Sequence, residues 1–308
     1  MLNWQKDHVQ TSLNDLDEDF ISSLNIKMKQ LELRSRNLAS STLRGDYRAS
    51  FHGSGVEFAE SREYISGDDT RFIDWNVTAR MGNTWIKRYV EERDLTIILA
   101  VDTSASQLVA GRQNGRIGAS AELVALISFL AVENHDRVGL MLFDKEVNEY
   151  IKPQHGEKHA HRLVRTVLDQ KYFALETCIT EACDRLTNVL RKKSIIFLLS
   201  DFTNLEDLGS LHRMSKRHDV IALVLTDPVD FVLPEVGLVQ VQSIEDGYST
   251  IIDTTDPVVR ERYRLRAKNF SELRSQKFSL ANVGEVKIDV TQDLLNPLSN
   301  YFKLRSVR

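Results

Sequence analysis

Five oxygen-bearing side chains carry the chemistry this sequence could do. Asp102, Ser104 and Ser106 fall at alternate positions in "TIILAVDTSAS" (96–106), where an apolar run gives way to small polar residues. Asp201 ends a second apolar run in "SIIFLLSDF", and Thr177 stands in "LETCITEACDRL", just ahead of a helical pattern. Each has an ordinary reading by itself. Asp and Ser favour turns and caps at strand ends, and Thr is a good helix N-cap. If the two apolar runs are neighbouring parallel strands, however, Asp102 and Asp201 emerge side by side at one sheet edge. Two carboxylates there repel unless a cation or a proton lies between them. An all-oxygen set of two carboxylates and three hydroxyls suits a hard divalent cation, Mg2+ first, with Mn2+ and Ca2+ as alternatives. Such a set leaves the metal partly hydrated, so an acidic side chain from another protein could complete its shell.

Other candidate chemistry is thin. His155, His159 and His161 in "HGEKHAHRL" could suggest a metal cluster, but Gly156 argues that the helix begins after His155, and solvated helix-start residues are the simpler reading. Cys178 and Cys183 have neither a CxxC metal spacing nor a disulfide framework, and read as buried or half-buried thiols in a reducing compartment. There is no Gly-x-x-x-x-Gly-Lys phosphate loop. The serine of "GSGVE" follows no buried strand, so it makes no nucleophile elbow.

The elements that must position the five residues are legible from residue 94 onward. Apolar runs at 95–101, 137–143, 194–200, 219–226 and 285–291 are nearly continuous, as strands covered on both faces must be. Between them lie helix-period segments: Leu123, Ile127 and Leu130 share a face, as do Ile179, Ala182 and Leu186, and Leu208, Leu211 and Met214. This alternation predicts an α/β fold with a doubly wound, mostly parallel sheet flanked by helices. Ligands in such sheets sit at the carboxyl ends of strands, near a switch in strand order. The segments 146–151 and 237–244 read as edge strands, and 257–278 as an arginine-rich helix with a solvated face or a partner-binding stripe. The last segment can close the domain as a helix packing Leu294, Leu298 and Phe302.

The first 93 residues differ. A helical segment over about 17–43, within an N-terminal stretch of 1–44, carries Phe20, Leu24, Leu31 and Leu38. A block over 45–93 then mixes glycine turns, aromatics and interleaved charges, and reads as short strands and turns held by ion pairs against an α/β domain spanning 94–308. Trp75, Arg80 and Trp85 are its candidate partner anchors, since Trp and Arg dominate interface hot spots. With 308 residues, 42% hydrophobic and 27% charged, the composition is that of a globular chain with a full core. A net charge of −4 gives no reason to expect nucleic-acid binding. No uninterrupted apolar stretch of about 18 residues and no signal-peptide layout is found, so no membrane span and a cytoplasmic location are expected.

Asp102, Ser104, Ser106, Thr177 and Asp201, in that order on a doubly wound sheet, resemble the metal-ion-dependent adhesion site (MIDAS) of von Willebrand factor A domains, although "LET" stands where that family often has Gly-Gly-Thr. The upstream stretch "GVEFAESREYISGDDTRFIDWNVTARMGNTWIKRYVEERD" looks very like the signature of the bacterial proteins called domain of unknown function 58 (DUF58), in which this block directly precedes a von Willebrand A-like domain. The likeness rests on Glu57, Phe58, Arg62, Tyr64, Gly67, Asp68, Arg71, Asp74, Trp75 and Arg80, and covers about residues 45–300. It implies a non-enzymatic interaction module working with a MoxR-type AAA+ ATPase in assembly or chaperoning of other proteins. The rival class is a haloacid-dehalogenase-like phosphatase, with Asp102 as nucleophile and Asp201 as a Mg2+ ligand. That chemistry wants a general acid two residues after the nucleophile, and Ser104 holds that position.

Overall fold

The computed structural model describes Tyr47, Ser50, Phe51 and residues 56–91, 94–108, 115–170, 174–205, 208–242 and 249–306. The helix expected over 17–43 lies outside the described residues. The chain divides into two compact units, Phe51–Leu95 and the remainder.

In the smaller unit, β1 (Val56–Glu63) pairs antiparallel with β2 (Trp85–Glu91), and between them runs α1 (Trp75–Met81). The sequence reading of strands and turns missed this helix. Its signals are local: Asp74 accepts from the backbone N–H of Asn76 and Val77, and Gly82 ends the helix at φ +79°, which glycine adopts without strain. The expected ion pairs are present. Arg62 grips Asp68 through two bonds of 2.8 and 2.7 Å, and Asp68 also accepts from Ile65 N–H, so its carboxyl is held below the usual range.

The larger unit carries, in chain order, β3 (Thr96–Asp102), α2 (Gly115–Glu133), β4 (Arg137–Phe143), β5 (Val147–Gln154), α3 (Glu157–Leu168), α4 (Ile179–Val189), β6 (Ile195–Ser200), α5 (Leu208–Arg217) and β7 (Asp219–Thr226). Then follow β8 (Leu238–Gln242), β9 (Ser249–Asp253), α6 (Pro257–Leu280), β10 (Gly284–Asp289) and α7 (Leu295–Ser306). Six strands form one sheet in the order β10-β7-β6-β3-β4-β5, all parallel except β5, which runs antiparallel along one edge. All five apolar runs are strands of it. Strands β3, β6 and β7 are buried along nearly their whole length, which is why they read as continuous hydrophobic runs rather than alternating ones.

Three expectations need correction. The segment at 237–244 is not an edge strand of the main sheet: among the described residues β8 pairs with β9 alone, in a separate antiparallel ribbon. Helix α2 is not one-faced, because Leu126 and Phe129 are buried along with Leu123, Ile127 and Leu130. A helix apolar all round belongs in the middle of a fold. It is also long and apolar enough to cross a membrane by length and composition, but 89% of its apolar 18-residue window is buried inside the fold, as in a core helix. Finally, α3 does begin after Gly156, yet His159 is not solvated. Its ring is buried, with Nε2 2.8 Å from the Val138 carbonyl oxygen, and the His161 ring stands edge-on to Phe129.

Candidate metal centre

The strand order reverses between β3 and β6: one half of the sheet grows outward from β3 through β4, the other from β6 through β7. A crevice at the carboxyl ends of these two strands is where doubly wound sheets hold ligands. Asp102 is the last residue of β3, Ser200 the last of β6, and Asp201 follows at once. Val101 pairs with Leu199, so the register carried one residue further sets Asp102 level with Ser200 rather than Asp201. Asp201 therefore stands one residue beyond. Phe202 then turns the chain with φ +53°, a costly conformation for a bulky residue, and its buried ring packs edge-on against Phe278.

The pocket is built from backbone alternation at β3. Thr103 points back into the sheet edge, its N–H and hydroxyl both bonding the Phe143 carbonyl oxygen. Asp102 and Ser104 are fully buried, and the Ser104 N–H donates to Asp102 Oδ1 at 2.9 Å. The chain then enters a 3-10 turn over Ala105–Leu108, which brings the Ser106 hydroxyl within 3.0 Å of the Ser104 hydroxyl. The Ala105 N–H donates to the Ala174 carbonyl, fastening this loop to the one before α4. That loop delivers Thr177, whose hydroxyl lies 3.5 Å from Asp102 Oδ1. Thr177 is not the helix cap. Cys178 occupies that position, with no side-chain capping bond, which leaves the threonine hydroxyl to the pocket.

Two polar side chains that sequence reasoning missed complete the cradle. Ser200 donates to Asp102 Oδ2 at 2.6 Å, and Gln107, fully buried, reaches Asp102 Oδ2 at 3.3 Å and the Ser106 hydroxyl at 3.2 Å. A third, Arg116 near the start of α2, donates to the Ser106 carbonyl at 3.0 Å and to Asp230 at 2.5 Å. Only Ser200 had a readable signal, its place in register with Asp102; the other two look like ordinary polar residues beside a turn.

The electrostatics of the pocket are unfinished. Burial pushes the Asp102 carboxyl up to about 6, and the charge of Asp201 adds to the rise, against the lowering bond from Ser200. Asp201 gives Oδ1 to the Thr203 N–H and hydroxyl, both at 3.1 Å, while its Oδ2 is buried without a hydrogen bond. The Arg116 guanidinium lies 3.8 Å from that oxygen, beyond hydrogen-bond reach. Buried polar atoms are normally satisfied, so an unbonded carboxylate oxygen points to a ligand. Among the described residues no group of three or more His, Cys, Asp and Glu gathers into a metal cluster. The centre here has two carboxylates and owes its other donors to hydroxyls. An all-oxygen set of this kind fits a small hard divalent cation.

The anchors expected in the smaller unit are not gathered in the same way. Trp75 is 70% exposed, Arg80 is exposed, and Trp85 is half-buried with its indole N–H buried and without a hydrogen bond.

A mostly parallel six-stranded sheet with one antiparallel edge strand and a strand-end pocket at the order reversal define a doubly wound α/β fold. Residues 60–272 match the family model described as protein of unknown function DUF58, and the chain belongs to that family. It is 28% identical over 252 residues to the uncharacterized protein Rv1480 of Mycobacterium tuberculosis, covering 81% of this chain and 78% of that one. Among solved structures it is similar to the conserved hypothetical protein BatB from Bacteroides thetaiotaomicron, at 16% identity and a TM-score of 0.45, covering 70% of this chain and all of that one. It is also similar to the SpRpn10 VWA domain, at 9% identity and a TM-score of 0.38 over 67% of this chain and 94% of that one.

Proposed function

We propose that the protein is a metal-dependent protein-interaction module whose cation is held by Ser104, Ser106 and Thr177, with Asp102 and Asp201 bound directly or through water. The observation that carries this reading is the buried Asp201 Oδ2, which has no hydrogen bond and shares a pocket with a second desolvated carboxyl at Asp102. A bound cation would offset the mutual repulsion of these groups and would present an electrophilic position to a carboxylate from outside. Neutral hydroxyls leave more positive charge on the metal than a third carboxylate would, which favours an acidic partner side chain. The resemblance to the DUF58 family supplies the expected partner, a MoxR-type AAA+ ATPase, and the expected work, assembly or chaperoning of other proteins in the cytoplasm.

The same pocket argues against phosphatase chemistry. The position two residues after Asp102 holds Ser104, whose hydroxyl is engaged with Ser106 and is a poor proton donor to a leaving group. The test compares wild type with Asp102→Ala in Mg2+ and in EDTA. Wild type gains thermal stability with Mg2+ and co-purifies with the organism's MoxR-type ATPase only when Mg2+ is present. Asp102→Ala keeps its circular dichroism spectrum and loses both effects. Unchanged capture by the variant would overturn the metal-dependent reading, and Mg2+-dependent hydrolysis of p-nitrophenyl phosphate lost in the same variant would favour the enzyme.

A further inference from the structure

One residue bridges the β3 and β6 loops of the candidate centre and is none of its expected ligands. Arg116 is the second residue of α2, and its side chain is 6% exposed. Through one nitrogen it donates to the Ser106 carbonyl in the β3 loop at 3.0 Å and stands 3.8 Å from Asp201 Oδ2 in the β6 loop. Through another it bonds Asp230 in the β7 loop at 2.5 Å. Asp230 is itself held in place, since its second oxygen accepts the Asp227 N–H at 2.8 Å in a capping box. Among the described residues the guanidinium therefore faces these two carboxylates, closer to Asp230 than to Asp201. It has little room to withdraw. Gly115 has φ +57°, and a Cβ there would lie 2.8 Å from the backbone oxygens of Gln107 and Leu108, so the start of α2 is pressed against the turn that carries Ser106. The second buried arginine near the site, Arg274, donates to the Asp201 backbone carbonyl at 3.1 Å, lies 3.9 Å from Glu285 and also feels the charge of Asp201, while Arg116 is the guanidinium within 4 Å of the Asp201 carboxylate among the described residues.

We propose that Arg116 is the resident counter-ion of the centre and sets its affinity for divalent cations, an inference that rests on the metal reading of the same pocket. Without metal, the guanidinium stabilises Asp201 in a place where little water can do so. A divalent cation then has to bind beside a fixed positive charge, and repulsion between the two in a buried site is substantial even at a moderate effective dielectric. The consequence is a site that takes Mg2+ weakly by itself and tightens when an acidic partner side chain adds negative charge. Loading of the metal is thus coupled to arrival of the partner.

Two substitutions outside the expected ligand set push this balance in opposite directions. Arg116→Gln removes the competing charge: its metal-free melting temperature falls, and Mg2+ binding by isothermal titration calorimetry tightens by about tenfold or more. Arg116→Lys keeps the charge and stays close to wild type in affinity. Asp230→Asn takes away the partner that draws the guanidinium aside, leaves Arg116 to Asp201, and weakens Mg2+ binding several-fold; it also serves if Arg116→Gln fails to fold. Wild-type Mg2+ binding with no change, or the opposite change, in Arg116→Gln or Asp230→Asn overturns the role of Arg116 alone. No Mg2+ binding by wild type and Arg116→Gln alike overturns the metal reading beneath it.

Discussion

Asp102 concentrates the physical tension of this protein in one side chain. It is fully buried, accepts from Ser200, Gln107 and the Ser104 N–H, and faces the charge of Asp201. Its carboxyl titrates at about 6 when folded and near the ordinary 3.8 when unfolded. The folded state holds this proton more tightly. The stability Asp102 contributes is therefore fully present below about pH 4, declines between pH 4 and 6, and is lost above about pH 6. A rise of this size corresponds to at most about 3 kcal/mol. Asp102→Asn keeps the side chain's size and removes the ionisation. In EDTA at pH 7.5 the variant should melt above wild type, and at pH 4.5 the gain should shrink to about a third. An equal gain at both values would mean that packing, not the buried charge, sets the difference. The variant should also lose the stabilisation that Mg2+ gives wild type, because removing the repulsion and removing the ligand are one change.

The loops around that residue are held by elements, and the tightest contact is at the start of α2. Gly115→Ala would force a positive φ on a residue with a Cβ and drive that carbon against two backbone oxygens at 2.8 Å. Backbone cannot swing aside as a long side chain does, so the helix or the Ala105–Leu108 turn must shift. The expected cost is about 1–3 kcal/mol by urea denaturation, with weaker Mg2+ binding, because the shift carries Ser106 and Arg116 with it. A substitution at Gly156, whose Cβ would meet nothing within 4 Å but whose φ is +100°, shows the conformational penalty without the collision. These constraints also explain what could be read from sequence. Strands β3, β4, β6, β7 and β10 were legible because a strand covered on both faces must be apolar throughout, and Asp102 and Asp201 were legible because they end such runs. The β8–β9 ribbon was not, since "GLVQVQSI" alternates as an edge strand would and nothing local says which strand it pairs with. Helix α1 was hidden by the charges and aromatics around its Asp74 and Gly82 caps. Arg116 was hidden more deeply: its neighbours Asp201 and Asp230 are distant in sequence, and no local pattern marks a residue whose partners come from other strands.

At the scale of the whole chain, the larger unit is discontinuous, interrupted between Ser50 and Thr96 by the smaller one. It therefore needs a tie on the far side of the interruption, and α7 provides it. Phe302 is fully buried and meets the rings of Tyr47 at 5.7 Å and Phe197 at 6.5 Å. Its carbonyl accepts from the Ser50 hydroxyl, Arg305 donates to the Ser50 carbonyl, and Tyr47 reaches Asp136 at 2.9 Å. The chain just before the interruption is thus fastened to the helix and to the core on β6. Phe302→Ala empties a ring-sized volume at this junction and should cost about 3–5 kcal/mol. Leu304 lies two residues on and is 72% exposed, so Leu304→Ala should stay within about 0.5 kcal/mol of wild type. Urea melts of both variants, followed by circular dichroism, make the comparison. If Phe302→Ala lowers the midpoint and leaves the slope unchanged, the tie stabilises one cooperative unit. A lowered midpoint with a shallower slope would mean that the chain at Tyr47 and Ser50 detaches first, and that α7 closes the sheet without binding the two chain segments into one folding unit.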